Sequence, residues 1–396
     1  MKIAPKQPAQ KEILDVAHAN TILHQLLHLI PGHVFAKLEK EHITVRAPRV
    51  LSLWAQFVVL AFIQLSARRS MRDGLRNLDA ASNRLYHLGV RKVARSTFSD
   101  ANNTRPAVFF KALFGEMYAR CRPQAPRHKF RFKSKLMSLD ATTIKLCLSL
   151  FPWASFRKGR GGVKLHTVLD HDGHIPAFVH VTEARVHEAR VAKTLNLPKG
   201  SIVVFDKGYN DYNWYLALEK DGVRFVTRLK KNASYRLIKR QKANRKLGVT
   251  SDHIIEVSGR FGTLRLRRIG YRDRETGKRY EFLTNHFRLS AKTIADIYKE
   301  RWKIELFFKE IKQNLKIKSF VGNSENAVLT QIYAALIVYL LVAYHKFLSR
   351  LGMSVQQMLQ LLQVNLLSRR PLQEVFDPRS HVPDKHNDLR LLEFAA

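Results

Sequence analysis

The chain has 396 residues, 45% of them hydrophobic, enough for a sizeable core and for two or three domains. Its 69 Lys+Arg against 32 Asp+Glu leave a formal charge of +37, a self-repelling excess that points to a polyanionic partner, nucleic acid before an acidic membrane surface. Two cysteines without metal-ligand spacing speak against a disulfide framework and a zinc ribbon. No signal-peptide run opens the sequence, so a reducing, cytoplasmic setting is expected, and with a nucleic-acid partner a nucleoid-associated one.

Residues 1–125 read as a helical N-terminal DNA-binding domain. Apolar residues recur at three and four spacing in ILHQLLHLI (22–30) and LSLWAQFVVLAFIQL (51–65), punctuated by Pro31-Gly32 and Pro48. Further on, SMRDGLRNL (70–78) and STFSDANNTR (96–105) each begin with a serine suited to N-capping. Two such helices predict a helix-turn-helix-like reader, the second carrying Thr97, Ser99, Asn102, Asn103 and Arg105. An ordinary helical bundle with a basic rim is the plain alternative.

Residues 126–350 change period. Short β-rich runs cover 136–146, 163–171, 175–184, 201–209 and 223–230, and helical patterns intervene at 187–197 and 211–220. Strands followed by helices predict an α/β fold, a mixed sheet with helices on its faces. At about 230–285 the rhythm breaks into strand-like pieces, HIIEVSGR, TLRLRRIGYR and KRYEFLTN, and residues 228–281 hold 17 Lys+Arg against 5 Asp+Glu. This segment is expected to be a basic β-rich insertion. One long helix is predicted over 290–316. The apolar run IYAALIVYLLVAY (332–344) is too short to span a bilayer and reads as a buried core helix, with no membrane partner expected. Residues 351–396 are expected to form a helical C-terminal region.

Three acidic residues occupy positions that propensity does not explain. Asp140 interrupts an apolar strand, LMSLDATTI, and Asp206 ends another, IVVFDKGY, at the sheet edge where open α/β folds place their sites. Glu305 lies in YKERWKIELFFKEIK (298–312). At about 100° per residue, Tyr298, Arg301, Glu305 and Lys312 share an arc about 60° wide. Ile297, Ile304, Phe308, Ile311 and Leu315 form the apolar stripe beside it. Three carboxylates without His or Cys make a hard oxygen donor set, suited to Mg²⁺ or Mn²⁺ and, as a two-ion site, to phosphodiester displacement. Asp170 and Asp172 in LDHDGH are assigned to a β-turn, Glu300 and Glu310 fall off the stripe as solvated or i,i+4-paired charges, and the 17 histidines show no metal spacing.

These residues resemble the DDE transposases of prokaryotic insertion sequences, in the branch marked by a Y-x2-R-x3-E-x6-K signature, matched here by Tyr298, Arg301, Glu305 and Lys312. The D-x-T-T run at Asp140 and FDKGY at Asp206 are similar to the family's two Asp motifs, and RSTFSDAN (95–102) to its N-terminal region. The resemblance implies an RNase H-like core in which Asp140, Asp206 and Glu305 bind two Mg²⁺ or Mn²⁺ ions. It implies cut-and-paste transposition through a DNA hairpin, acting on terminal inverted repeats and target DNA, with a homodimer on double-stranded DNA. Tyr298, Arg301, Trp302 and Lys312 would hold DNA around a flipped base, with Lys207 and Tyr209 near the site. The rival readings are a nuclease or resolvase without strand transfer, and a non-enzymatic DNA-binding protein derived from such an enzyme.

Overall fold

The computed structural model describes residues 20–377 apart from 44–50, 67, 69, 158–159, 231, 260–261 and 318–319. Among the described residues six α-helices come first: α1 (Ile22–Leu27), α2 (Gly32–His42), α3 (Leu53–Leu65), α4 (Met71–Ala80), α5 (Arg95–Thr104) and α6 (Val108–Cys121). Thr21, Ser52 and Ser70 cap α1, α3 and α4 by accepting from backbone N–H groups of the first turn.

The strands follow in three groups. β1 (Leu136–Leu146), β2 (Ser155–Arg157), β3 (Arg160–Asp170) and β4 (Ile175–Glu183) are antiparallel neighbours around β3. After the short α7 (Glu188–Ala192), β5 (Ile202–Phe205), α8 (Tyr212–Lys220) and β6 (Arg224–Arg228) add two strands parallel to β1. The sheet then runs on through an antiparallel extension, β7 (Arg236–Gln241), β8 (Val249–Gly259), β9 (Gly262–Arg272) and β10 (Arg279–Thr284), with β10 beside β6. The result is one mixed ten-stranded sheet. The basic insertion is thus continuous with the sheet. It is tied to the segment that follows β10 by Arg267, which donates to Asp252 at 2.7 and 2.9 Å and to the Leu289 carbonyl.

Strand alternation divides the core. Met137, Leu139, Val203, Phe205 and Phe225 pack with Trp214 and Tyr215 of α8 on one face. Leu136, Ile202, Val204 and Val226 face the other way, against Ile294, Ile297 and Tyr298 of α9 (Ala291–Glu300). On that second side lie α10 (Trp302–Asn314), α11 (Glu325–Leu348), α12 (Val355–Asn365) and α13 (Leu372–Phe376). The predicted stripe Ile304, Phe308, Ile311 and Leu315 joins α11 in a core shared with α3 and α6. α11 is long and apolar enough to cross a membrane by length and composition, and 94% of its apolar window is buried inside the protein.

Two local expectations are corrected. The helix over 290–316 is not continuous: Arg301 separates α9 from α10, and the Arg301 and Ile304 amides bond three residues back rather than four. The second presumed reader helix starts at Arg95 with Ala94 at its cap, so Ser96 is not an N-cap. Asn102 and Arg105 of that segment face inward, donating to the Phe98 carbonyl and to Gln56 with the Ser52 and Leu51 carbonyls respectively. Buried polar groups need such partners, and these have theirs within the bundle.

Candidate active site

Leu139 pairs with Phe205 in the parallel β1–β5 register, so Asp140 and Asp206 are the next residues on adjacent strands. By alternation both project to the α9–α10 side. The break at Arg301 lies over this edge. Its guanidinium donates to Asp140 Oδ2 at 3.1 Å and to Glu305 Oε1 at 2.6 Å, so one planar cation spans two of the three carboxylates. The Tyr298 hydroxyl donates to Asp206 Oδ1 at 3.2 Å, and the Arg301 guanidinium lies 5.8 Å from the Tyr298 ring centre. Lys312 donates to Thr142 Oγ1 and, at 3.3 Å, to the Thr143 carbonyl. Across the break between α9 and α10, Tyr298, Arg301 and Lys312 reach three successive points along the edge formed by β5 and β1.

The electrostatics follow from partial burial of like charges. Burial pushes the Asp140 carboxyl up to about 6; the Ala141 amide and Arg301 oppose this, and Glu188 and Glu305 add to it. The Tyr298 hydroxyl is pushed up to about 12, chiefly by burial. Arg301 is held above the ordinary guanidinium range: burial works against its charge, and Tyr298, Asp140 and Glu305 outweigh it. Arg301 Nε and the Tyr209 hydroxyl are buried without a hydrogen-bond partner.

The remaining predicted residues separate by exposure. Trp302, at the start of α10, is 57% exposed, and Lys207 is also exposed. Tyr209 is 1% exposed and packs on Phe205 at 6.0 Å, so as folded it backs the site from the core and is not placed to touch DNA. Tyr271 and Tyr280 each pack against Phe282, whose ring lies 4.9 Å from that of Tyr298. Sequence reasoning missed Glu188, which bonds Lys164 at 3.5 Å beside the site; a short helix start among mixed charges gives no pattern to read. It also misjudged Glu300 and Glu310. Glu300 has a side chain only 13% exposed and bonds Lys129, and Glu310 accepts from Tyr339 at 3.3 Å.

A metal-binding reading fits the donors. They are carboxylate oxygens on one sheet edge and its covering helix, and their shared neighbour is a guanidinium, so the locus already accommodates positive charge.

A mixed α/β sheet thus carries two aspartates on adjacent strands beneath a helix-borne glutamate, in a chain of strongly positive net charge. Residues 131–341 match the family model "Transposase DDE domain", and residues 18–91 match a domain of unknown function (DUF4372). The chain is 33% identical over 287 residues to a putative transposase, y4zB, of Sinorhizobium fredii, covering 71% of this chain and 79% of that protein. It is 30% identical over 262 residues to a probable transposase for insertion sequence element IS5377 of Geobacillus stearothermophilus, covering 65% and 68%. Among solved structures, a piggyBac transposase synaptic complex with hairpin DNA overlays 94% of this chain and 84% of its own, at 11% identity and TM-score 0.47. The chain belongs to the DDE transposases of prokaryotic insertion sequences.

Proposed function

We propose that this protein is a cut-and-paste transposase of the Y-x2-R-x3-E-x6-K branch, with Asp140, Asp206 and Glu305 holding two Mg²⁺ or Mn²⁺ ions. The observation that carries the reading is the single guanidinium bridging Asp140 and Glu305 beside Asp206, on one edge of the sheet. The strand order β4-β3-β1-β5-β6, with β1, β5 and β6 parallel, supports an RNase H-like core within residues 126–350. Bound ions would activate the attacking oxygen and stabilise the leaving one in an in-line displacement.

The protein's own residues then have separable tasks. Tyr298 fixes the Asp206 carboxylate, and Arg301 fixes those of Asp140 and Glu305. With cations held by those carboxylates, Arg301 would be available to grip a phosphate, as would Lys312 with a shift from Thr142. Trp302 offers its exposed ring to a flipped base, and Lys207 adds charge at the edge. Residues 1–125 dock the inverted repeats, the enzyme works as a homodimer on cytoplasmic, nucleoid DNA, and the freed 3′-OH attacks first the opposite strand, forming a hairpin, and later the target.

The test is a labelled inverted-repeat end incubated with the full chain, Mg²⁺ and a target plasmid. Nicking, a hairpin product and joining of the labelled 3′ end to the plasmid are expected. Nicking without joining would establish a nuclease or resolvase. Binding without Mg²⁺-dependent nicking would establish a DNA-binding derivative.

A further inference from the structure

Below the acidic trio, the β3–β4 turn brings a second donor set against the helix break. His171 and His174 of this turn and Glu300, the last residue of α9, each present one donor atom, and the three atoms lie within 4.8 Å of one another. The turn is built to hold this position. Gly173 and His174 are successive left-handed residues, at φ 70° and 55°. A Cβ on Gly173 would come within 2.6 Å of Phe347 and 2.9 Å of Ala125, so only glycine fits.

The His171 ring is oriented from behind. Ser138 Oγ, on β1 two residues before Asp140, lies 2.6 Å from His171 Nε2. That contact fixes the ring and leaves Nδ1 for a ligand, the outer-shell arrangement by which proteins aim an imidazole at a cation. The His174 ring stands edge-on to it at 5.7 Å.

We propose that His171, His174 and Glu300 form a second cation site, of the imidazole–carboxylate type that takes Zn²⁺, clamping the β3–β4 turn to the end of α9. Two nitrogens and one oxygen suit a borderline cation and not Mg²⁺, so the site is chemically distinct from the all-carboxylate trio. Tetrahedral bonds of about 2.0–2.2 Å require the donors to close in somewhat. The exposed His174 and the helix-terminal Glu300 are the members free to do so. The charges facing the cluster decide how it fills. Lys129, with its side chain 68% exposed, bonds Glu300 at 2.6 Å and is the group a cation displaces. Lys303, Lys346 and His128 oppose the cation, and Asp170 and Asp172 favour it. Because Glu300 precedes Arg301, the clamp sets where α9 ends and so where the guanidinium stands over Asp140.

The inference does not depend on the transposase chemistry, and its test uses binding alone. The full-length protein, stripped by chelator and held in saturating Mg²⁺, is titrated with Co²⁺ while visible ligand-field absorption is followed. One equivalent per chain is expected. His174→Asn keeps a residue tolerant of the left-handed turn, and Glu300→Gln spares the helix; each should weaken Co²⁺ by more than about 100-fold, since losing an outer-shell partner alone costs about 10–100-fold. Ser138→Ala should cost about tenfold. Joint replacement of Asp140, Asp206 and Glu305 by their amides should leave the titration unchanged. The inference falls if stoichiometric Co²⁺ gives no bands. It falls equally if the bands survive His174→Asn or vanish with the amide triple variant.

Discussion

Two carboxylate clusters sit on β1 and its neighbours, and they differ in what satisfies them. Asp170 and Asp172 are buried, and their oxygens are met by Lys135 at 3.0 and 2.6 Å, by the Tyr118 hydroxyl, and by the backbone amides of Asp172 and His128. Asp140, Asp206 and Glu305 are partly open, and they are met mostly by the side chains of one row, Tyr298 and Arg301. A carboxylate saturated by several donors is a structural element, because removing it leaves those donors without their acceptor. A carboxylate held by side chains that can swing away can exchange them for metal and substrate. The two clusters are only three register positions apart on β1 and β3, Met137 opposite Asp170 and Asp140 opposite Thr167.

The contrast is broken or upheld most sharply by paired substitutions. Glu305→Gln and Asp206→Asn should lower single-turnover cleavage of a labelled end by at least about a thousandfold, the rate equivalent of several kcal/mol of lost charge stabilisation. Their thermal stability should hold or rise, since each removes a like charge from a crowded site. Asp170→Ala should do the reverse: about 2 kcal/mol less stable by urea titration, as expected when the Tyr118 hydroxyl and the Asp172 amide lose their acceptor, with cleavage per folded molecule unchanged. Equal losses of activity and stability in both sets would erase the distinction.

A second, smaller effect comes from pH. The folded protein keeps a proton on Asp140 up to about 6, where the unfolded chain releases it near 3.8. Between those values the native state binds more protons, so this group's contribution to stability falls as pH rises through that window. Cation binding responds oppositely, because the ligand must lose its proton: Mg²⁺-dependent cleavage should decline up to tenfold per unit as pH falls below about 6. Asp140→Asn should flatten the stability profile between about 4 and 6 in urea titrations without metal. An unchanged profile would mean that the Asp140 proton is not held.

Much of this was legible in the residues, for physical reasons that can be stated. Asp140 and Asp206 stood out because apolar strand runs penalise a carboxylate, and the structure puts them on adjacent strands. The apolar stripe Ile304, Phe308, Ile311 and Leu315 was legible as periodicity, and it is buried. β8, β9 and β10 were readable from alternation, whereas β7, with the sequence RLIKRQ and largely exposed, carries no buried face to write a pattern. The break at Arg301 left no Gly or Pro. It comes with a side chain bonded to both Asp140 and Glu305, a tertiary contact that a helical wheel does not contain. Asn102 and Arg105 misled for a related reason: polar residues on a short helix look like a reader until their partners in α3 are known. His171, His174 and Glu300 were invisible because 126 residues separate the turn from the helix end.

The least costly perturbation tests the open side of the comparison directly. Trp302 begins α10 with 57% of its surface exposed, one residue after the guanidinium and three before Glu305. An exposed indole contributes little to folding, so Trp302→Ala should leave the melting temperature nearly unchanged. If the ring stacks on a base extruded at the element's end, the variant should lose about 1–3 kcal/mol of affinity for that end. The loss should shrink when the end carries an abasic position at the extruded nucleotide, because the wild-type protein then has no base to stack on. It should also be insensitive to salt, unlike a phosphate contact, whose removal changes the slope of affinity against salt. A Trp302→Ala variant that bound intact and abasic ends with the wild-type ratio would place the ring outside the DNA path, and would leave the opening beside the trio to the cations and the backbone alone.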